Sequence, residues 1–565
     1  MSSSANQASE ALNSKQQRQY QCLCILLQAV NETCKHRSDI RYSSGKSQSD
    51  ALLTDYQKFI CKMAQILDNE KGGDSATALI VAKGLRGPDY VFASNSRKAS
   101  ELERAKSFLS DLLGYVGSNP DELTPKGIQK QVFDRILEFN FLRFDAYLNG
   151  LGTALQFCID NCERSQEPSR FSDMAQLQAI KDKSLFPRDM TSSIDSKKKF
   201  FRDCEDLIKA IHNSQNTGIN KVFDKHIGIT EPEISYQWCQ LRHHLGRLHS
   251  LRQASEAIID ASTKWPSLFK DFTVDYIPSS RLRRFTRLHG LRASPTDIIE
   301  DAFPDHDLTY YEGDIAELRR HGLDEQIQKQ ELKFPSKTLV HCEANLHGHL
   351  VKAGKTRPCD FWNDVMFIAT SKPPCRLCYY YFQDGDNDFQ VQWSHMNLYP
   401  RWRLPDVVDS NDEASIEHRE ELIEDIFEHL QESILNVLQE KFPQWKRNDS
   451  RTDSRGCTDV REGADSRTPT GGHYMPPSVV DEEGFREGLF YYVAKFLKEN
   501  PTATSKFKKS TMARIAKSWK PEEALAMNHL NLKLPAIEDG VVLYNYVKDG
   551  YKQQFVGMGS RDTLQ

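Results

Sequence analysis

Two short runs restrict most tightly what this chain can fold into: Thr338-Leu339-Val340-His341-Cys342-Glu343-Ala344-Asn345-Leu346, and Asp364-Val365-Met366-Phe367-Ile368-Ala369-Thr370-Ser371-Lys372-Pro373-Pro374-Cys375-Arg376-Leu377-Cys378. Each reads as a short apolar strand feeding a helix, the second stopped by Pro373 and given a preset helical φ by Pro374. Cys375 and Cys378, three apart on one helical turn, face the same side. A helix N-terminus there favours thiolate over thiol. With the imidazole of His341 they offer three donors to Zn²⁺ and leave the fourth tetrahedral corner to water. Water so placed loses a proton near neutral pH. Glu343 lies two residues from His341, within reach of the same cavity without being a ligand, and suits proton transfer.

The parts of this pattern are weak and their combination is specific. Among 17 His and many Glu, an isolated H-x-E arises by chance about once. A C-x-x-C among 13 Cys arises in roughly a third of such chains. The joint order, the preceding proline, the two strand-to-helix contexts and the 34 residues from His341 to Cys375 are far rarer. Two bland readings stand beside it: a core histidine with two buried thiols, or a structural zinc site completed by Cys359, His347 or His349.

At 565 residues the chain should hold three or four units, at roughly 100–200 residues each. A hydrophobic share of 39% with 29 Gly excludes a wholly disordered chain. No run of 18 apolar residues exists to span a bilayer, so no membrane association is expected. The N-terminus lacks a basic region followed by an apolar core, so it is not a secretory signal. A net charge of −5 excludes wholesale coating of nucleic acid. The 13 cysteines, scattered and odd in number, fit an intracellular compartment, cytoplasmic or nuclear.

Residues 1–18, rich in Ser, Gln and Asn, read as a disordered tail. Residues 19–264 read as a helical domain, with Phe108, Leu109, Leu112 and Leu113, then Phe133, Ile136, Leu137 and Phe141, at helical steps. Loops are expected at Lys71–Ser75 and Asn119-Pro120. Residues 265–410 hold the two runs. Residues 411–445 form one long amphipathic helix, with Ser410 and Glu413 as a capping box and Pro443 past its end. Residues 446–478 read as a disordered linker, and 479–565 as a small helical C-terminal segment.

The H-x-E…P-C-x-x-C pattern is the signature of zinc deaminases. On HCE at 341–343, SKPPCRLC at 371–378, the run Ser394 to Asp406 and the upstream Leu323–Gln328, the stretch from Trp265 to Val407 resembles a divergent nucleotide or nucleic-acid deaminase-like domain. That domain occurs in many copies in filamentous fungi and is related to the bacterial OTT-type deaminases. The resemblance implies an α+β chain: a mostly helical N-terminal region, a three-layer α/β/α domain similar to cytidine deaminase, and a helical C-terminal tail. It implies His341, Cys375 and Cys378 as zinc ligands and Glu343 as the proton-transfer residue. His395 and Ser371 are the residues it offers for contact with substrate. Cys342 stands where the wider superfamily has Ala or Val, and no first hairpin is evident between residues 305 and 335.

Among Tyr379, Tyr380, Tyr381, Phe382, Trp393, Tyr399 and Trp402, one or two are candidates to stack on a base, the rest being core. Basic clusters at Arg281, Arg283, Arg284, Arg287, His289 and Arg292, and at Lys506, Lys508, Lys509, Arg514, Lys517 and Lys520, are solvated faces or phosphate contacts. Cys158 with Cys162, and the pair His243-His244, read as packing. The function expected is a zinc-dependent hydrolytic deaminase acting on a nucleobase, nucleoside, nucleotide or single-stranded nucleic acid. The alternative is a catalytically inactive, zinc-stapled scaffold.

Overall fold

The structure is a computed structural model that describes residues 12–37, 40–44, 53–190, 192–227, 232–284, 294–383, 388–406, 413–441, 443 and 457–461. Apart from Asp388, these fall in one compact unit made of Met1–Asp384 and Phe389–Gly463. The expected C-terminal helical segment, its lysine cluster, most of the 446–478 linker and the Ser410 cap lie outside the described residues, as do Arg287, His289 and Arg292.

Among the described residues, nine helices precede residue 265: α1 (Ser14–Arg37), α2 (Asp55–Leu67), α3 (Ala99–Ser118), α4 (Pro125–Phe139), α5 (Phe141–Arg164), α6 (Arg170–Ser184), α7 (Ile194–Thr217), α8 (Ile219–His226) and α9 (Pro232–Lys264). Six follow among the described residues: α10 (Pro295–Ala302), α11 (Glu312–Arg320), α12 (Leu323–Lys333), α13 (Cys342–Lys352), α14 (Arg376–Tyr381) and α15 (Glu413–Glu440). The strands are β1 (Ile40–Ser44), β2 (Thr77–Lys83), β3 (Pro88–Ser94), β4 (Thr273–Ile277), β5 (Arg283–Arg284), β6 (Lys337–Thr338), β7 (Phe367–Thr370), β8 (Gln390–Val391) and β9 (Cys457–Arg461). No described helix is long and apolar enough to cross a membrane.

Helix starts follow their capping chemistry. Thr54 and Gln57 form a capping box on α2, and Thr124 caps α4 ahead of Pro125. The tail expected through residue 18 instead turns helical at Ser14, because Asn13 and Gln16 exchange side-chain and backbone hydrogen bonds of 2.9 and 3.1 Å. Helix α15 covers Glu413–Glu440 of the stretch 411–445 read as one long helix. Its stripe of Leu422, Ile423, Ile426, Phe427, Leu430, Ile434 and Leu438 is buried, and the helix packs on α1 and α14.

The central sheet overturns the division at residue 265. Its five strands run in the order β4-β3-β2-β7-β8, with β2 antiparallel to both β3 and β7, and with β3–β4 and β7–β8 parallel. Two of the five come from residues 77–94, inside the stretch read as helical. Residues 305–335, where no first hairpin is evident in the sequence, supply α11 and α12. Gly87, in the turn of the β2–β3 hairpin, lets the Lys270-Asp271 backbone pack close, since a Cβ there would lie 2.5 Å from the Asp271 carbonyl oxygen.

Side chains on the two faces of the hairpin enter different cores. Leu79, Val81, Tyr90 and Phe92 join the core built with α2, α3, α5 and α9. Ala78, Ile80, Ala82, Val91 and Ala93 face a second core that includes residues of α1, α12, α13 and α15. The alanines let α13 lie close against β2 and β3.

Two further expectations change. The first run gives only the two-residue β6, which pairs with β5 outside the central sheet. Leu339 is drawn away instead to the 401–403 turn, its N–H bonding the Arg401 carbonyl at 2.7 Å. Within the expected linker, Cys457–Arg461 forms β9, antiparallel to β1.

Candidate metal centre

The registers put the ends of β3, β4 and β7 at one edge of the sheet, beside the start of β2. Ligand sites favour such an edge, where strand ends leave backbone groups and loops without further pairing. At this edge β7 gives way to the Ser371–Pro374 turn. Cys375 then occupies the N-cap position of α14 with extended dihedrals (φ −73°, ψ 171°), and Cys378 follows on the first turn. Across from it, His341 is the N-cap residue of α13 (φ −67°, ψ 153°).

These two helix starts bring the three donors together. His341 Nδ1 lies 3.5 Å from Cys375 Sγ and 3.4 Å from Cys378 Sγ, and all three side chains are buried. Their ligand atoms lie within 4.8 Å of one another, and no other His, Cys, Asp or Glu among the described residues joins the cluster. One imidazole and two thiols are a zinc donor set with one tetrahedral place left over. Burial pushes the Cys375 thiol up, but the hydrogen bond from Cys378 and the nearby His341 ring outweigh it and bring it down to about 5. Cys378 is driven well up by burial and by Cys375.

None of the proposed fourth ligands joins. His347 is held by the Tyr381 hydroxyl at 2.6 Å and packs on Phe389, while Cys359 is exposed. His349, on the last turn of α13, is also outside the cluster. Glu343 sits at the second position of α13, 5% exposed, and its Oε2 accepts a hydrogen bond of 3.1 Å from the Cys342 thiol. Both residues line a cavity of about 560 Å³ together with His341, Ser371, Cys375, His395 and Tyr399. That volume falls in the usual range for small-molecule sites, roughly 300–1,000 Å³.

The two expected substrate contacts are held by different partners. His395 is buried, and its Nδ1 accepts from the Asn397 N–H at 2.9 Å, which leaves the ring proton on Nε2. Its ring meets Tyr399 edge-on at 5.6 Å. The Ser371 hydroxyl is committed: it donates to Asp68 Oδ2 at 3.1 Å and accepts from the Thr77 N–H at 3.0 Å. Ser371 therefore braces the cavity floor. Of the aromatic set, Tyr399 alone lines the cavity; Tyr380 bonds Ser433, Tyr381 bonds His347, and Trp402 is buried.

Several residues the motif reading missed come from the N-terminal half. The Asn95 Oδ1 accepts from the Cys342 N–H at 2.7 Å and its Nδ2 donates to the Gly73 carbonyl at 2.8 Å, so one amide caps α13 and ties down the glycine loop. Asp68, fully buried, pairs with Arg143 at 2.7 Å and accepts from Ser75 at 2.5 Å as well as from Ser371. A legible signal for the loop was Lys71-Gly72-Gly73-Asp74-Ser75 itself, whose middle members Gly72, Gly73 and Asp74 line the cavity. Asn95→Ala removes an orphan-satisfying helix cap, and the expected loss is about 1 kcal/mol of stability. Urea denaturation with an unchanged m-value checks it.

Neither the curated proteins nor the solved structures contain a match to this chain. A protein-family model does match: the one described as OTT_1508_deam-like deaminase, over residues 340–406. That span begins one residue before His341, holds both cysteines and Glu343, and ends with the Ser394–Asp406 run. Residues 340–406 are thus similar to the OTT-type deaminase family.

Proposed function

We propose that the protein is a zinc-dependent hydrolytic deaminase that replaces the exocyclic amine of a nucleobase, free or within a nucleoside, nucleotide or nucleic acid, by a carbonyl oxygen. The observation that carries this reading is the buried three-donor cluster, of which His341 and Cys375 line an open cavity, with a carboxylate on the same cavity wall that is not one of the donors. Zinc in this donor set supplies Lewis acidity that makes water a competent nucleophile at neutral pH. Glu343 accepts one proton from the attacking water and hands it to the ring nitrogen, then carries the second, from the newly added hydroxyl, to the departing amine as the carbonyl forms. Water adds at the amidine carbon, the exocyclic C–N bond breaks, and ammonia leaves. His395 and Tyr399 form the wall against which the ring lies. The sheet with helices on both faces is, in this reading, the cytidine-deaminase-like layering. A reducing, intracellular compartment belongs to it too, because Cys375 and Cys378 serve only as thiolates.

The test is metal analysis of the full chain followed by ammonia release over a panel of bases, nucleosides and nucleotides. One zinc per chain is expected, lost in Cys375→Ala, with turnover of at least one panel member. Zinc without turnover would instead favour the scaffold reading, and a chain that takes up no zinc would sink both.

A further inference from the structure

We infer that the cavity is built for a substrate bearing a terminal phosphate, a nucleoside monophosphate, held at its rim by Lys333, Lys372 and Arg401 around the Gly72-Gly73 turn; this rests on the deaminase reading. Charge and burial divide the cavity into two zones. Its buried part holds two of the three donors, His341 and Cys375, together with Glu343. Its rim is exposed or half-buried and carries those three cations against a single acid, Asp74.

Each cation is anchored next to the chemistry. Lys372 lies on the turn three residues before Cys375, and its ammonium donates to the Gly72 carbonyl. Arg401 lies on the turn that bonds Leu339 from both sides, with Leu339 N–H to the Arg401 carbonyl at 2.7 Å and Arg403 N–H to the Leu339 carbonyl at 3.0 Å, two residues before His341. Lys333 ends α12. Lys333 and Arg401 have no ion-pair partner among the described residues, so both charges are available to a ligand. On the same cavity lining, Gly72 and Gly73 leave open space where side chains would stand, with Gly72 at φ +122°. A dianionic phosphate suits such a rim, since charge-assisted hydrogen bonds to Lys and Arg are strong and directional. Three cations facing one carboxylate match one phosphate rather than a strand of them, and a net charge of −5 gives no long basic track.

The experiment is calorimetric titration of the zinc-loaded full chain with CMP, AMP and GMP, with the three matching nucleosides, with inorganic phosphate, and with a single-stranded decanucleotide. At least one monophosphate is expected to bind at least about ten-fold tighter than its nucleoside. Arg401→Gln removes most of that advantage, whereas Lys126→Gln, outside the cavity, leaves it intact. Equal affinity for nucleoside and monophosphate overturns the inference. So does an absence of binding by either, or a decanucleotide that binds tighter with the salt slope of several phosphates. The deaminase reading fails on a different readout, missing zinc or missing ammonia, so the two failures are distinguishable.

Discussion

Glu343→Gln should reduce turnover by about 10²- to 10⁴-fold while zinc content and thermal midpoint stay near those of the unaltered chain. The geometry makes this a clean experiment. Glu343 is 5% exposed and fixed by the Cys342 thiol, yet stands outside the donor cluster. An amide fills the same volume and keeps an acceptor oxygen for that thiol, so packing on the alanine-rich face of the sheet is retained. What it loses is the ability to take up and release a proton, which only the reaction needs. Ammonia release and zinc stoichiometry measured on one preparation separate the outcomes. Undiminished turnover would deny Glu343 the proton-transfer role, and a fall in zinc with turnover would make it a ligand.

The metal cluster and α15 were legible because each rests on local geometry. Three-residue spacing across a helix start fixes where Cys375 and Cys378 face, and a stripe such as Ile423, Ile426, Phe427 and Leu430 has only one way to be buried. The hairpin was not legible for the opposite reason. Thr77–Lys83 is buried on both faces through Ala82, so it lacks the alternation that distinguishes a strand from a helix segment. Only its tight turn and its partners, β4 nearly 200 residues later and β7 nearly 300 later, make it central. Asn95 and Asp68 were invisible on the same ground. A lone Asn before a helix, or a lone Asp after one, carries no motif, and its role appears only when distant segments converge on it. Ser371 was assigned to substrate by its place in the motif, whereas its hydroxyl serves Asp68.

Asp68→Ala is expected to cost the fold about 3–5 kcal/mol, the usual penalty for leaving one member of a buried ion pair alone. Arg143 is the group left behind, 3% exposed, with its remaining bonds reaching the Asp68 main-chain carbonyl and the Tyr147 hydroxyl. The same substitution strips Ser75 and Ser371 of their shared acceptor, which loosens the glycine loop and the turn before Cys375 together; zinc affinity should fall with stability. Asp68→Asn keeps the shape and loses only the charge, and Asp68→Asn combined with Arg143→Met should recover much of the loss, because a buried pair exchanged for uncharged groups of similar volume is often nearly neutral. The pH dependence has a definite sign. Burial pushes the Asp68 carboxyl up, but Arg143, Lys372 and the Ser75 hydroxyl outweigh it and hold it below its ordinary value. A group whose folded pKa is depressed adds stability above its unfolded pKa, about 3.9, and that stability disappears as pH falls through the folded value. The gap in urea midpoint between the native chain and Asp68→Asn should therefore be constant from pH 8 to 5 and narrow below about pH 4. A gap that widens on acidification would mean that Asp68 is buried as the neutral acid and that the helical core is not braced to the metal turn by charge.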